Sequence, residues 1–209
     1  MIRPPGFRGA AFGAAADGDG RSDEAARRRI SRDQGLPEAW AYLHQVHGRR
    51  VWRASDPGLQ GDGDALFTTT AGLPLAVGTA DCLPVVLEAA GGVGLAHVGW
   101  RGAAAGVVAA LRGAMEAEGL VPLRAAVGPG IGPCCFTVGP EVAAALPAFR
   151  AVARTGATSI DLPAAVVAGL GGVEVWQSPE CTCCGTGYHS YRRDGTRRRQ
   201  VAVAWLPAG

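Results

Sequence analysis

The chain has no lysine and no asparagine among its 209 residues, and all 20 of its basic side chains are arginine. Without lysine there is no P-loop amine to reach a nucleotide phosphate and none to form a Schiff base. Without asparagine there is no Cys-His-Asn triad. Both gaps occur in a chain rich in Ala, Gly and Arg and read as nucleotide composition bias rather than chemistry. Apolar runs stay short of the roughly 18–20 residues that span a bilayer. No basic region followed by an apolar stretch opens the chain, so no signal peptide is read and a cytoplasmic protein is expected. A net charge of +2 selects no polyanionic partner. Neither a membrane nor a nucleic-acid partner is expected.

Histidine is scarce as well, with four in the chain. Three of them stand with a cysteine in three short motifs: His44-Gln45-Val46-His47-Gly48, Ala80-Asp81-Cys82 and His97-Val98-Gly99-Trp100-Arg101-Gly102. His47, Cys82 and His97 would make a three-ligand soft site. Three protein ligands leave a fourth position open, the pattern of catalytic zinc. A metal-free alternative is a Cys82–His97 nucleophile–base pair. Asp81 is a candidate ligand orienter or base, or a turn residue at a strand end. Arg101 is a candidate for bidentate phosphate binding, and Trp100 for packing or purine stacking.

The six cysteines are Cys82, Cys134, Cys135, Cys181, Cys183 and Cys184. The length, the missing signal and the adjacent pairs argue against a secreted disulfide framework. Cys134 and Cys135 are expected to pack. The run Cys181-Thr182-Cys183-Cys184 could join one of them in a second metal site, but its spacing is not read as the usual C-x-x-C. Tyr188 to Asp194 and Arg197 to Arg199 form a basic segment, from which Arg192 or Arg193 would contact phosphate or ribose.

Periodicity places a helix at Ser22 to Gln34 with Ser22 as N-cap, and extended segments around a His47-Gly48 turn. Strands are expected at Leu73 to Thr79, Arg124 to Val127, Val173 to Gln177 and Gln200 to Leu206. Pro84 to Glu88 and Val93 to Val98 read as a hairpin turning at Gly91-Gly92. That register puts Val86 opposite His97, and Cys82 on the face of His97. Gly102 to Glu118 is the strongest helix, with Val107, Val108, Leu111 and Met115 as its apolar stripe. An anion at its N-terminus would also meet Arg101. Pro140 to Leu146 and Leu162 to Leu170 are expected short helices. Hairpins mixed with helices favour an α+β class: a single layered domain of mixed sheets flanked by helices. Residues 1–38 show weak periodicity and form an N-terminal segment of uncertain pattern.

Taken together, QVHG at 45–48, DAL at 64–66, TADCLPVVL at 79–87, HVGWRG at 97–102, VGPGIGPCCFTVG at 127–139, CT at 181–182 and SYRRDG at 190–195 resemble one family. It is the multicopper polyphenol oxidoreductase, or laccase-domain, family, also described as purine nucleoside phosphorylases or peptidoglycan-editing factors. The resemblance implies a cytosolic monomer related to cysteine-hydrolase toxins, with zinc on His47, Cys82 and His97. It implies phosphorolysis of adenosine, inosine, guanosine and methylthioadenosine, with adenosine deamination as a second activity. Purine nucleoside and phosphate are then the partners, with Gln45, Arg101, Arg192 and Arg193 as expected contacts. The older laccase label implies copper, but four histidines are too few for a multicopper cluster. The peptidoglycan-editing label implies an amidase acting on a UDP-linked muramyl amino acid through Cys82 and His97. His189 stands where the family has an aromatic residue and is a further candidate ligand or base.

Overall fold

The structure, a computed structural model, describes residues 1–208. The chain opens with β1 (Ala10–Phe12) and α1 (Glu24–Gln34), followed by β2 (Ala41–His44), β3 (Val51–Arg53), β4 (Gly58–Asp62), β5 (Ala65–Thr68) and β6 (Leu75–Thr79). The hairpin β7 (Leu83–Ala89) and β8 (Gly92–Val98) leads into α2 (Trp100–Ala105), α3 (Val107–Ala117) and β9 (Pro122–Val127). Then come α4 (Pro140–Ala145), the hairpin β10 (Arg150–Val152) and β11 (Thr158–Ile160), α5 (Leu162–Ala168), β12 (Glu174–Gln177), the single turn α6 (Tyr191–Asp194) and β13 (Gln200–Ala204).

Two mixed sheets are built from these strands, one in the order β1-β13-β6-β2-β4 and one in the order β12-β9-β7-β8-β5-β3. Strand alternation shows how they stack. In β13, Ala202 and Ala204 join Leu75, Val77, Leu66, Val86 and Leu95 in one apolar cluster between the sheets. Val201 and Val203 point the other way, against Ile30 of α1 and Trp40. In β7, Val85 and Leu87 turn outward onto Val107, Leu111 and Met115 of α3 and Leu162 and Val166 of α5. The result is four layers: helix, sheet, sheet, helices. Both faces of the central strands are covered, so their sequences read as continuous apolar runs. The α+β class with mixed sheets and flanking helices is as the sequence implies.

Two local expectations are corrected. The hairpin turns at Ala90-Gly91, with Gly91 at φ 80°, so Pro84 rather than Val86 faces His97. The shift is by two residues, which preserves side-chain parity, and Cys82 keeps the inter-sheet face of His97. The helix of Gly102 to Glu118 is two helices. Gly106 adopts a left-handed φ of 76° and serves both as C-cap of α2 and as N-cap of α3. The first of them starts at Trp100, so Arg101 lies inside it. At α1 the cap is Asp23, whose side chain accepts from the Ala25 and Ala26 amides, in place of Ser22. The N-terminal segment is integrated: β1 pairs with β13 in register Ala10–Ala204 to Phe12–Ala202.

At Gly94, β8 lies directly against side chains of α3. A Cβ there would lie 2.7 Å from the Met115 sulfur and 3.1 Å from the Leu111 methyls. Gly94→Ala is expected to cost about 1–3 kcal/mol through overpacking, read as a lower urea midpoint at unchanged m-value. An unchanged midpoint would show that α3 yields freely.

Candidate active site

Three connections cross from one sheet to the other at the same end of the sandwich. The β2–β3 crossing carries His47, the β4–β5 crossing carries Asp64, and the β6–β7 crossing carries Asp81 and Cys82. His97 points between the sheets from β8. The ligand atoms of His47, Cys82 and His97 all lie within 4.8 Å of one another. The two imidazole rings meet edge to face, with centroids 4.9 Å apart. Gly99 makes this approach feasible, since a Cβ there would stand 3.0 Å from the Cys82 sulfur and 3.1 Å from His47 Cδ2. His97 is buried, Cys82 partly so and His47 exposed, so the cluster opens to solvent on the His47 side.

Asp64 organises the cluster and was visible in the sequence only as the first letter of the DAL motif. It is completely buried. Its carboxylate accepts the backbone N–H groups of Val46 (3.3 Å), His47 (2.9 Å) and Gly48 (2.6 Å) and pairs with His97 Nδ1 at 2.8 Å. Burial works to raise the Asp64 carboxyl, yet the His97 bond and the Gly48 and His47 amides outweigh it and hold it below the usual carboxylate range. Burial pushes His97 below its ordinary value, against the opposing pull of Asp64. The neutral ring donates from Nδ1 to Asp64 and leaves Nε2 as a lone pair. This carboxylate–histidine arrangement is the one that orients metal ligands. Burial and the neighbouring Asp81 carboxylate push the Cys82 thiol up to about 12.

Among the described residues, the two non-glycine residues with left-handed φ are both here: His47 at 60° and Asp81 at 85°. Such conformations persist only where surrounding bonds over-determine them. Asp64 fixes the first. At the second, Asp81 Oδ1 accepts from Thr182 Oγ1 and Oδ2 from the Arg192 amide, both at 2.7 Å.

A cavity of about 580 Å³ opens beside the cluster, a size that suits a small-molecule ligand. Its wall includes His47, Asp81, Cys82, His97, Arg101, Arg192 and Gln45 from the sequence-based set. Arg193 is not brought there. Its guanidinium pairs with Asp194 and caps the carbonyls of Thr182, Gly185 and Tyr188. His189 also stays outside the wall. Three of the lining residues outside the expected set are basic. His44 pairs with Asp62 at 2.8 Å at the rim. Arg21 binds Asp19 bidentately and donates to Gln45 Oε1. Arg199 was seen only as part of a basic run. Arg21 comes from the segment with weak periodicity, and no local signal could have placed it. Among the described residues, Arg101, Arg192 and Arg199 form no ion pair, whereas Arg21 and Arg193 do. The wall therefore carries uncompensated positive charge. Trp100 packs on the core and is covered by the Arg101 guanidinium at 4.3 Å. Cys134 and Cys135 do not simply pack: with Cys181 and Cys184 they form a second sulfur cluster.

Two outcomes test this geometry. Asp64→Asn turns an acceptor toward three backbone donors into a partial donor and frees the His97 ring. It is expected to cost about 3 kcal/mol of stability and about 10- to 100-fold in metal affinity, measured by denaturation and by competition with a chelator. A metal bound at the triad must displace the Cys82 proton, because that thiol titrates near 12. Apparent affinity should therefore rise about tenfold per pH unit above about pH 7, and a flat profile would exclude Cys82 as a ligand.

The family described as multi-copper polyphenol oxidoreductase laccase matches residues 5–207. A Deinococcus radiodurans protein named purine nucleoside phosphorylase is 39% identical over 210 residues, covering 90% of this chain and 81% of that protein. Purine nucleoside phosphorylase YfiH of Escherichia coli is 34% identical over 193 residues, with 86% and 79% coverage. The crystal structure of YlmD from Geobacillus stearothermophilus superposes with a TM-score of 0.80 at 33% identity, covering 90% of this chain and 82% of that one. The chain belongs to the multi-copper polyphenol oxidoreductase laccase family.

Proposed function

We propose that the protein is a metal-dependent purine nucleoside phosphorylase that acts on adenosine, inosine, guanosine and methylthioadenosine and also deaminates adenosine. One observation carries the proposal: the two-nitrogen, one-sulfur donor set lines a cavity whose wall also bears Arg101, Arg192 and Arg199, none of them paired with a carboxylate among the described residues. The names of the relatives support the same reading.

His47, Cys82 and His97 would hold the ion, and their donor set suits zinc, whose bonds to nitrogen and sulfur run about 2.0–2.3 Å. Copper would also accept these ligands, but three of them make one mononuclear centre. The bound ion would supply Lewis acidity to a substrate oxygen or water beside it. Arg101 and Arg192 would seat phosphate, with Gln45 and Arg199 in reach of the sugar or phosphate. Leu43, Ile131, Phe136 and Leu162 give the cavity its apolar wall for the base. In phosphorolysis the bond from C1′ to the base nitrogen breaks and a phosphate oxygen bonds to C1′. Positive charge grows on the ribose meanwhile, and the seated phosphate stabilises it. Asp81, the one carboxylate on the cavity wall among the described residues, is placed to carry protons in the deaminase reaction.

An amidase that uses Cys82 as free nucleophile on a UDP-linked muramyl amino acid is less supported. A thiol held near 12 by burial and Asp81 is a poor source of thiolate at neutral pH.

The test is chromatography of adenosine and inosine incubated with zinc-loaded protein, with and without phosphate. Free base and ribose 1-phosphate should form only with phosphate, and inosine should form from adenosine without it. Cys82→Ala should abolish both. Arg101→Ala should raise the phosphate KM about 10- to 100-fold, since a charge-assisted bond is worth about 1.5–3 kcal/mol. No turnover of either nucleoside under any condition would end this reading and bring the amidase forward.

A further inference from the structure

Four cysteines outside the pocket converge from distant parts of the chain. The sulfurs of Cys134, Cys135, Cys181 and Cys184 all lie within 4.8 Å of one another. Cys184 Sγ stands 3.4 Å from that of Cys134 and 3.3 Å from that of Cys135. These separations are far beyond a disulfide bond of about 2.05 Å. They approach the edge of a sulfur tetrahedron, which for metal–sulfur bonds of about 2.3 Å is roughly 3.8 Å.

Two turns supply the sulfurs. In one, the amides of Cys135 and Phe136 both donate to the Gly132 carbonyl, at 3.1 Å each. In the other, the amides of Cys184 and Gly185 donate to the Cys181 carbonyl, at 3.1 and 2.9 Å. A bridge between Gly130 and Cys181 and the Thr182 amide on the Gly130 carbonyl (3.0 Å) hold the turns side by side. The Gly132 amide donates to Cys181 Sγ at 3.2 Å, a bond that supports charge on a ligand sulfur. Cys181 and Cys184 do have C-x-x-C spacing. The intervening Cys183 hides it in the sequence and lies outside the cluster. Adjacent Cys134 and Cys135 can share one centre because a turn, not a strand, carries them.

We propose that Cys134, Cys135, Cys181 and Cys184 form a second metal site, a closed tetrathiolate centre for zinc with a structural role. Four protein ligands leave no open position, unlike the triad at the pocket. The same turns build one pocket wall. Ile131 and Phe136 line the cavity, Thr182 holds Asp81, and the Cys135 carbonyl accepts from Arg192 at 3.1 Å. The ion would therefore clamp the turn that anchors Arg192 to the turn that anchors Asp81.

The experiment is zinc stoichiometry on reduced, loaded and desalted protein, with X-ray absorption at the zinc edge. Wild type should hold two equivalents, and Cys82→Ala and Cys184→Ser one each. In Cys82→Ala the remaining ion should show only sulfur, at about 2.3 Å. A zinc-free Cys82→Ala protein, nitrogen or oxygen in its first shell, or a disulfide among the four cysteines in the unreduced holoprotein would overturn the proposal. Should Cys82→Ala fail to fold, cobalt-loaded wild type decides. Tetrathiolate charge-transfer bands that vanish in Cys184→Ser support the site, and their absence from the loaded wild type overturns it. The readout is independent of the reaction in the pocket.

Discussion

The site depends on one buried carboxylate. Asp64 sits at zero exposure where the chain passes from β4 to β5. A carboxylate there is tolerable only if its lone pairs are filled by strong donors. Three consecutive amides and one imidazole fill them. Meeting that demand bends residues 46–48 around the oxygens, which is why His47 takes a left-handed φ of 60°. The same group fixes the tautomer and tilt of the His97 ring. Its own carbonyl accepts the His97 amide at 2.7 Å, so backbone and side chain of Asp64 agree on where His97 stands. Two of the three prospective ligands are thus set by a residue that is not one.

The packing around this carboxylate explains the small residues near it. Chain crossings between two apolar sheets must come close without side chains in the way. Gly99 leaves room for Cys82 and His47, and a Cβ at Gly102 would meet the Gly48 carbonyl at 3.2 Å. Gly78 is covered by the Arg21 guanidinium and could not carry a side chain without displacing it. Each glycine stands where a ligand, a turn or a cation approaches backbone.

Local chemistry was legible in the sequence, and long-range assembly was not. The shared face of Cys82 and His97 follows from strand parity, and His47 and Arg101 stand out as candidates by their motifs, although only tertiary folding brings His47 to the other two. Parity survived a two-residue error in hairpin register because side chains alternate with period two. The break at Gly106 was missed because the apolar stripe of α3 continues in phase with the residues before it. Asp64, Arg21 and Arg199 reach the site from crossings and termini whose position no periodicity encodes. Arg193 looked equivalent to Arg192 in sequence. The single turn of α6 sends the two side chains apart, one to the cavity wall and the other to the carbonyls of the 182–188 loop.

That divergence also determines where charge remains. An arginine that closes a loop on carbonyls or pairs with a carboxylate has little field left to offer a ligand. Arg193 and Arg21 are of that kind. Arg192 also caps carbonyls, through Nη1, but no carboxylate cancels its charge, and none cancels that of Arg101 or Arg199. The cavity wall thus combines soft nitrogen and sulfur donors, guanidinium groups without carboxylate partners, and apolar side chains. A ligand that matches all three must combine an anion, a polar centre and a flat apolar body. Nucleoside and phosphate together have that composition. A polyphenol lacks the anion, which leaves the arginine wall without a partner.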